Sequence, residues 1–184
     1  MSIAANMNLA SAVNFIMGSL TVFAQVLIVW LVFSWLFGWK LPEFVRAHAL
    51  SLAFCAALIA TLGSLTYSDI VGFEPCKLCW FERIFMYPQV LILGFALWGK
   101  HKGVRALLDV SFTLSILGAL LSLYHHLMQL NLVPAGSCAA IGYSVSCAKV
   151  FVMQFDYITI PLMAFSAFLL IIVSLLLTRV KSIS

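Results

Sequence analysis

The stretch Glu74-Pro75-Cys76-Lys77-Leu78-Cys79-Trp80-Phe81-Glu82-Arg83 sets two cysteines, two residues apart, at the start of a long apolar run. The run that follows, Ile84 to Trp98, reads as a helix, which puts Cys79 near a helix N-terminus. Unsatisfied backbone N–H groups and the helix macrodipole favour an anion there, so a thiolate is stabilised. Cys79 and Arg83 are four apart and share a helical face, and the guanidinium gives Cys79 a second reason to ionise. The stretch reads as a reactive dithiol at a membrane surface.

The membrane follows from composition. Hydrophobic residues make up 64% of the chain and charged residues only 9%, far from the balance of a soluble domain. The 184 residues leave room for about five membrane helices of roughly 20 residues each, and for no separate soluble domain. The net charge of +4 is spread thinly, and no basic patch points to nucleic acid. No Lys or Arg precedes the first apolar run, which is also too long for a signal-peptide core, so the first helix is expected to be retained.

Five apolar segments are predicted as helices, at about 12–38, 47–68, 82–99, 104–130 and 157–178. The breaks between them carry nearly all the charge. Setting the first break, the third break and the C-terminus on one side gathers Lys40, Arg46, Lys100, Lys102, Arg105, Arg179 and Lys181 there. The other side keeps only Lys77, Arg83 and Lys149. By the positive-inside rule the first set is cytoplasmic, so both cysteine-bearing breaks face outward, where thiols are oxidised and stay so. Trp80, Tyr87, Tyr143 and Tyr157 then fall near the outer interface and Trp35, Trp39 and Trp98 near the inner one. The fourth break, 131–156, holds Pro134, Gly136 and Gly142 and reads as loop. Its apolar end, Ala148–Phe155, is expected to lie on the membrane surface as a short interfacial helix.

Of the five cysteines, Cys55 sits mid-helix, where a small polarizable hydrophobe packs well. Cys76, Cys79, Cys138 and Cys147 fall in two loop pairs on one side. Ordinary stapling disulfides are one reading, although a Cys-x-x-Cys pair closes too small a loop to stabilise much. Structural zinc needs four converging ligands, and the eight residues between Cys138 and Cys147 lack the usual knuckle spacing. Haem attachment fails because Trp80, not His, follows Cys79. A redox relay, in which the close pair reacts and the looser pair exchanges with it and with a partner, is favoured. Arg83 either snorkels to headgroups or holds the thiolate and hydrogen-bonds a quinone carbonyl. Glu82 either pairs with Arg83 or faces water. His125 and His126, near the outer end of the fourth helix, either donate to a carbonyl or shuttle a proton, or simply bond neighbouring backbone.

Cys76-Lys77-Leu78-Cys79-Trp80-Phe81-Glu82-Arg83 with its preceding Pro75, continuing Ile-Phe-Met-Tyr-Pro, resembles the signature of the DsbB/BdbC family of disulfide-forming membrane proteins. Tyr157-Ile-Thr-Ile-Pro161, opening the last helix behind a cysteine pair, resembles its BdbC-like branch. The resemblance covers about residues 45–178. It implies an all-α integral membrane helical bundle, with a four-helix DsbB-like core over 46–184. Residues 1–45 form an additional N-terminal transmembrane helix and cytoplasmic loop, on which the family pattern is silent.

It further implies a protein dithiol:quinone oxidoreductase in a bacterial cytoplasmic (inner) membrane, multi-pass, with its C-terminus cytoplasmic and its cysteine loops extracytoplasmic. Such an enzyme reoxidises a thioredoxin-like, DsbA-type carrier and passes electrons to ubiquinone or menaquinone in the membrane pool. The redox-active disulfides would be Cys76–Cys79 and Cys138–Cys147, with no metal. Cys79 would lie adjacent to quinone, Arg83 would contact it, and His125 and His126 are further candidates for that contact. Cys138 would form the mixed disulfide with the carrier, and Cys147 would hand electrons to Cys76. The vitamin K epoxide reductase family also couples a membrane Cys-x-x-Cys to quinone, but there the loop pair precedes the Cys-x-x-Cys, whereas here it follows. A non-enzymatic scaffold with structural loop disulfides is the competing class.

Overall fold

A computed structural model of the chain describes residues 3–37, 39, 42–99, 103–134 and 146–181. The helices are α1 (Ile3–Leu36), α2 (Glu43–Ala47), α3 (Ala49–Leu65), α4 (Lys77–Trp98), α5 (Val104–Gln129) and α6 (Ile160–Lys181), and a π-helical turn, Thr66–Ile70, prolongs α3. Among the described residues five helical stretches are long and apolar enough to cross a membrane: Asn8–Leu36, Ala49–Ile70, Lys77–Trp98, Val104–Gln129 and Ile160–Arg179. Hydrocarbon offers backbone groups no partners, so each stretch closes its hydrogen bonds within itself. The protein is the expected all-α, multi-pass membrane bundle.

Two local readings change. The cysteine-bearing helix α4 begins at Lys77 rather than at 82. Cys76 is its N-cap, extended at φ −73° and ψ 176°, and its sulfur accepts the Cys79 N–H at 3.4 Å. A cysteine thus takes the place of the usual Ser or Asp cap, and both cysteines belong to the helix start. The second change concerns Ala148–Phe155, which is not an interfacial helix. Phe155 and Asp156 both adopt left-handed backbone, at φ 54° and 64°, and Gln154 and Ile158 exchange two backbone hydrogen bonds of 2.9 Å across them. Two successive left-handed residues are the requirement of a tight hairpin turn and exclude a right-handed helix. The turn folds the segment back so that Val152 and Ile158 pack with Tyr67 and Met163.

The π-helical turn stops at Gly72, whose φ of +83° suits a residue without a Cβ. Val71 N–H still reaches the Thr66 carbonyl at 3.0 Å, and Phe73 N–H reaches that of Tyr67 at 2.9 Å. The chain then runs extended to Pro75 and the α4 cap.

Helices α3 to α6 enclose one core around Leu93, Phe168, Ile171 and Leu175, with Ala53 and Ala57 letting α3 approach closely. Some of its polar groups are hydrogen-bonded across helices: Ser111 and Ser115 of α5 donate to Gln89 Oε1 at 2.6 and 3.1 Å. The outer end of the Phe168 ring of α6 abuts Gly118 in α5, where any Cβ would overlap it. Helix α1 packs outside this core on α6, with Leu31 buried against Leu170, Leu177 and Ala49. A polar clamp fixes it there: Gln25 donates to Ser166 Oγ at 3.1 Å and accepts from Tyr157 Oη at 3.0 Å. Leu91, Phe95 and Leu120 point outward as a lipid-facing surface does.

Gly118→Ala is expected to cost about 1–3 kcal/mol by pushing Phe168 out of its seat. The measurement is thermal unfolding in detergent; a midpoint equal to that of the parent would show that the α5–α6 contact does not depend on this close approach.

Candidate active site

The α4 start brings Cys76 Sγ and Cys79 Sγ to 3.1 Å, in contact as two thiols. Cys76 is buried and Cys79 partly exposed. The neighbouring Cys79 sulfur and then burial push the Cys76 thiol up to about 12, while His125 pulls the other way. Cys76 therefore keeps its proton more tightly than a free thiol does.

From α5, His125 reaches into the same place. Its Nε2 lies 3.7 Å from Cys76 Sγ and 3.1 Å from the Cys147 carbonyl. Its Nδ1 lies 2.9 Å from Glu82 Oε1 of α4, and both side chains are buried. A carbonyl oxygen only accepts, so Nε2 carries a hydrogen, and Nδ1 and Glu82 share another between them. The pair thus holds an imidazole N–H beside Cys76 Sγ. Cys76, Cys79 and His125 also converge closely enough to suggest a metal, their ligand atoms all lying within 4.8 Å of one another. Nε2 lies nearer to the Cys147 carbonyl, at 3.1 Å, than to Cys76 Sγ, at 3.7 Å.

Arg83, one turn beyond Cys79, is held by α3: its Nε donates to Ser64 Oγ at 3.0 Å and one Nη to the Ser64 carbonyl at 3.2 Å. Tyr87 Oη donates to the same Ser64 hydroxyl at 3.2 Å, and the guanidinium sits 5.2 Å from the Trp80 ring centre. The two Ser64 bonds use two of the five guanidinium N–H donors. Cys79, Arg83, Glu82 and Ser64 line a cavity of about 260 Å³ whose other walls are almost wholly apolar, built by α1, α3, α4 and α6. The volume lies just below the usual range of ligand pockets, roughly 300–1,000 Å³.

The candidate residues separate as follows. Cys76, Cys79 and His125 are in contact, and Cys147 is buried with Cys76 and Met128 in one cluster. Arg83 shares the cavity with Cys79, although its hydrogen bonds go to Ser64. His126 is turned away and bonds Thr159 Oγ1 at 2.9 Å through Nδ1. Cys138 lies outside the described residues, as do Gly136, Gly142 and Tyr143. Cys55 is exposed and lines the cavity, so it is not the packed core residue expected from its mid-helix position. Glu82 pairs with His125 rather than with Arg83 or water. Its one signal in the sequence is a carboxylate three residues from Cys79 in an otherwise apolar helix. Ser64 carries no signal, because its role exists only where α3 meets α4.

The sequence pattern of the family described as Disulfide bond formation protein DsbB matches residues 46–178. Among curated relatives, Probable disulfide formation protein C 1 of Bacillus anthracis is 42% identical over 128 residues, 70% of this chain and 89% of that protein. Disulfide bond formation protein C of Bacillus subtilis (strain 168) is 41% identical over 135 residues, 73% of this chain and 94% of that protein. Probable disulfide formation protein of Oceanobacillus iheyensis is 41% identical over 131 residues, 68% of this chain and 85% of that protein. No solved structure matches with significance. A half-buried dithiol at the start of a membrane helix, in a chain matched by that pattern over α3 to α6, makes this protein a member of the DsbB family of disulfide bond formation proteins.

Proposed function

We propose that the protein is a dithiol:quinone oxidoreductase that reoxidises a thioredoxin-fold, DsbA-type carrier outside the cytoplasm. The observation that carries this reading is the position of the Cys76–Cys79 pair. On one side Cys76 is buried with Cys147 and against His125; on the other Cys79 and Arg83 open onto an apolar cavity. The pair thus faces thiol chemistry and a lipid-soluble oxidant at once. The orientation rests on the charge asymmetry: Arg46, Arg105 and Arg179 lie at the end of the bundle opposite the cysteines.

The relay balances as three exchanges. A carrier dithiol reduces Cys138–Cys147, leaving the carrier oxidised. Cys147 then attacks Cys76 of the Cys76–Cys79 disulfide, and Cys79 leaves as a thiolate, the sulfur nearest the helix N-terminal N–H groups. Cys138 attacks Cys147 to re-form the loop disulfide and releases Cys76 as a thiol. A bound quinone supplies a two-electron, two-proton oxidant that returns the dithiol to a disulfide. The cavity fits such a group: a polar rim with unspent Arg83 donors suits a carbonyl, and the apolar walls suit a ring and its tail. His125, held by Glu82, sets its Nε2–H beside Cys76 Sγ and the Cys147 carbonyl, where it steadies negative charge on that sulfur during exchange. Burial behind Met128 keeps water from that sulfur.

Quinone absorbance followed with purified protein and a reduced thioredoxin-fold carrier tests the reading with ubiquinone and menaquinone in parallel. Loss of absorbance that disappears in Cys79→Ser is the expected result, whereas no turnover by folded protein would favour a scaffold. Arg83→Ala is expected to raise the quinone KM about tenfold, the scale of losing a charged hydrogen bond of roughly 1.5–3 kcal/mol. Carrier-driven reduction of the cysteines should continue in that variant, and an unchanged KM would remove Arg83 from the site.

His125→Ala strands Glu82 as a buried charge and is expected to cost about 3–5 kcal/mol of stability. Adding Glu82→Leu should restore much of that stability while dithiol oxidation stays roughly 10²-fold slow, as for loss of a positioned acid–base group. Recovery of rate together with stability would reduce the pair to a structural tie.

A further inference from the structure

The cavity beside Cys79 is not closed by the four helices that match the family pattern. One of its walls is α1: Thr21, Ala24 and Leu27 line it opposite Ser64, Cys79 and Arg83. This wall is fixed in place. Gln25 is clamped between Ser166 and Tyr157, Leu31 is fully buried against α3 and α6, and Met17 sits on the bare backbone of Gly63 in α3. Between these ties α1 and α3 stay apart. Phe23 of α1 and Ile59 of α3 both line the cavity and remain exposed, at 67% and 42%, so the cavity opens sideways to lipid.

We propose that α1 completes the quinone site, forming the wall against which the ring and the first part of its tail lie and one jamb of the lateral opening. The inference rests on the quinone reading above and adds a part of the chain to it. The occupant follows from the lining. The polar end carries Cys79, the Arg83 guanidinium and the carboxylates of Glu74 and Glu82, and the rest is mostly apolar and reached from the membrane. That combination recognises a lipid-soluble oxidant with carbonyl acceptors, and a lipid acyl chain would leave the polar end unused. Ala24 then sets how much room the ring has, because it is the smallest side chain that α1 contributes to the wall.

The test uses the full chain with Ala24→Trp, which fills the cavity, and Val26→Trp, which puts the same bulk on the exposed face of α1 (63%). Ala24→Trp is expected to raise the quinone KM about tenfold or more, and Val26→Trp to leave it within about twofold. Carrier-driven reduction of Cys76–Cys79, followed by thiol alkylation without quinone, should run at the parental rate in both variants and report that the bundle is intact. Photolabelling with an azidoquinone gives a readout independent of turnover: label should appear on the α1 peptide of the parent and fall in Ala24→Trp. An unlabelled α1 with an unchanged KM in Ala24→Trp would overturn the role of α1 while parental turnover upheld the quinone reading. Absence of both turnover and labelling in the parent protein would overturn the two together.

Discussion

Glu82 and His125 form a buried hydrogen-bonded pair, 2.9 Å apart, in a bundle that hides almost no other charge. Removing two ionisable groups from water is costly, and their attraction offsets that cost only if every remaining proton and lone pair is satisfied. Here the arrangement does so by enlisting the site. The second imidazole nitrogen reaches the Cys147 carbonyl and lies against Cys76 Sγ. One pair therefore joins α4 to α5, pins the returning loop at Cys147 and fixes where the capping sulfur lies. Loss of any member would leave a polar group without partners in a low-dielectric interior.

That constraint explains the division of labour between the two cysteines. Cys76 caps the helix, is buried and keeps its proton; Cys79 is half-buried one turn in and faces the cavity. The proposed exchange, with a loop on one side and a lipid-soluble oxidant on the other, needs two unlike sulfurs. The helix start supplies them, because Cys76 is the extended cap residue outside the helix and Cys79 stands within its first turn. The arginine contributes differently from what its spacing suggests. It is pinned to Ser64 and Trp80, so its remaining donors point from a rigid mount rather than from a mobile chain.

Helix α1 shows how an added segment joins a bundle without entering its core. It packs on the outside of α6 through a narrow apolar contact and a Gln25–Ser166–Tyr157 clamp, and leaves a gap toward α3. In water such a gap would collapse or fill; beside lipid it becomes a pocket with a membrane-facing opening.

The sequence by itself determined the architecture and the chemistry. Five long apolar runs admit only helices in hydrocarbon, charge placement separates the two ends, and Cys-x-x-Cys before a helix with Arg83 one turn later marks a dithiol. Local signals carried those features, so they were legible without a fold. Others were not. The interfacial helix expected at Ala148–Phe155 gave way to a hairpin because Phe155 and Asp156 take left-handed backbone, which apolar composition does not disclose. The cap at Cys76 was hidden because sulfur is an uncommon capping atom. The partners of Glu82, Arg83 and Cys55 depend on which helix faces which across the bundle. Lipid is as apolar as the side chains, so hydropathy cannot tell a lipid-facing residue from a buried one. Only packing between helices decided that His125 meets Cys76, that His126 meets Thr159, and that α1 walls the cavity.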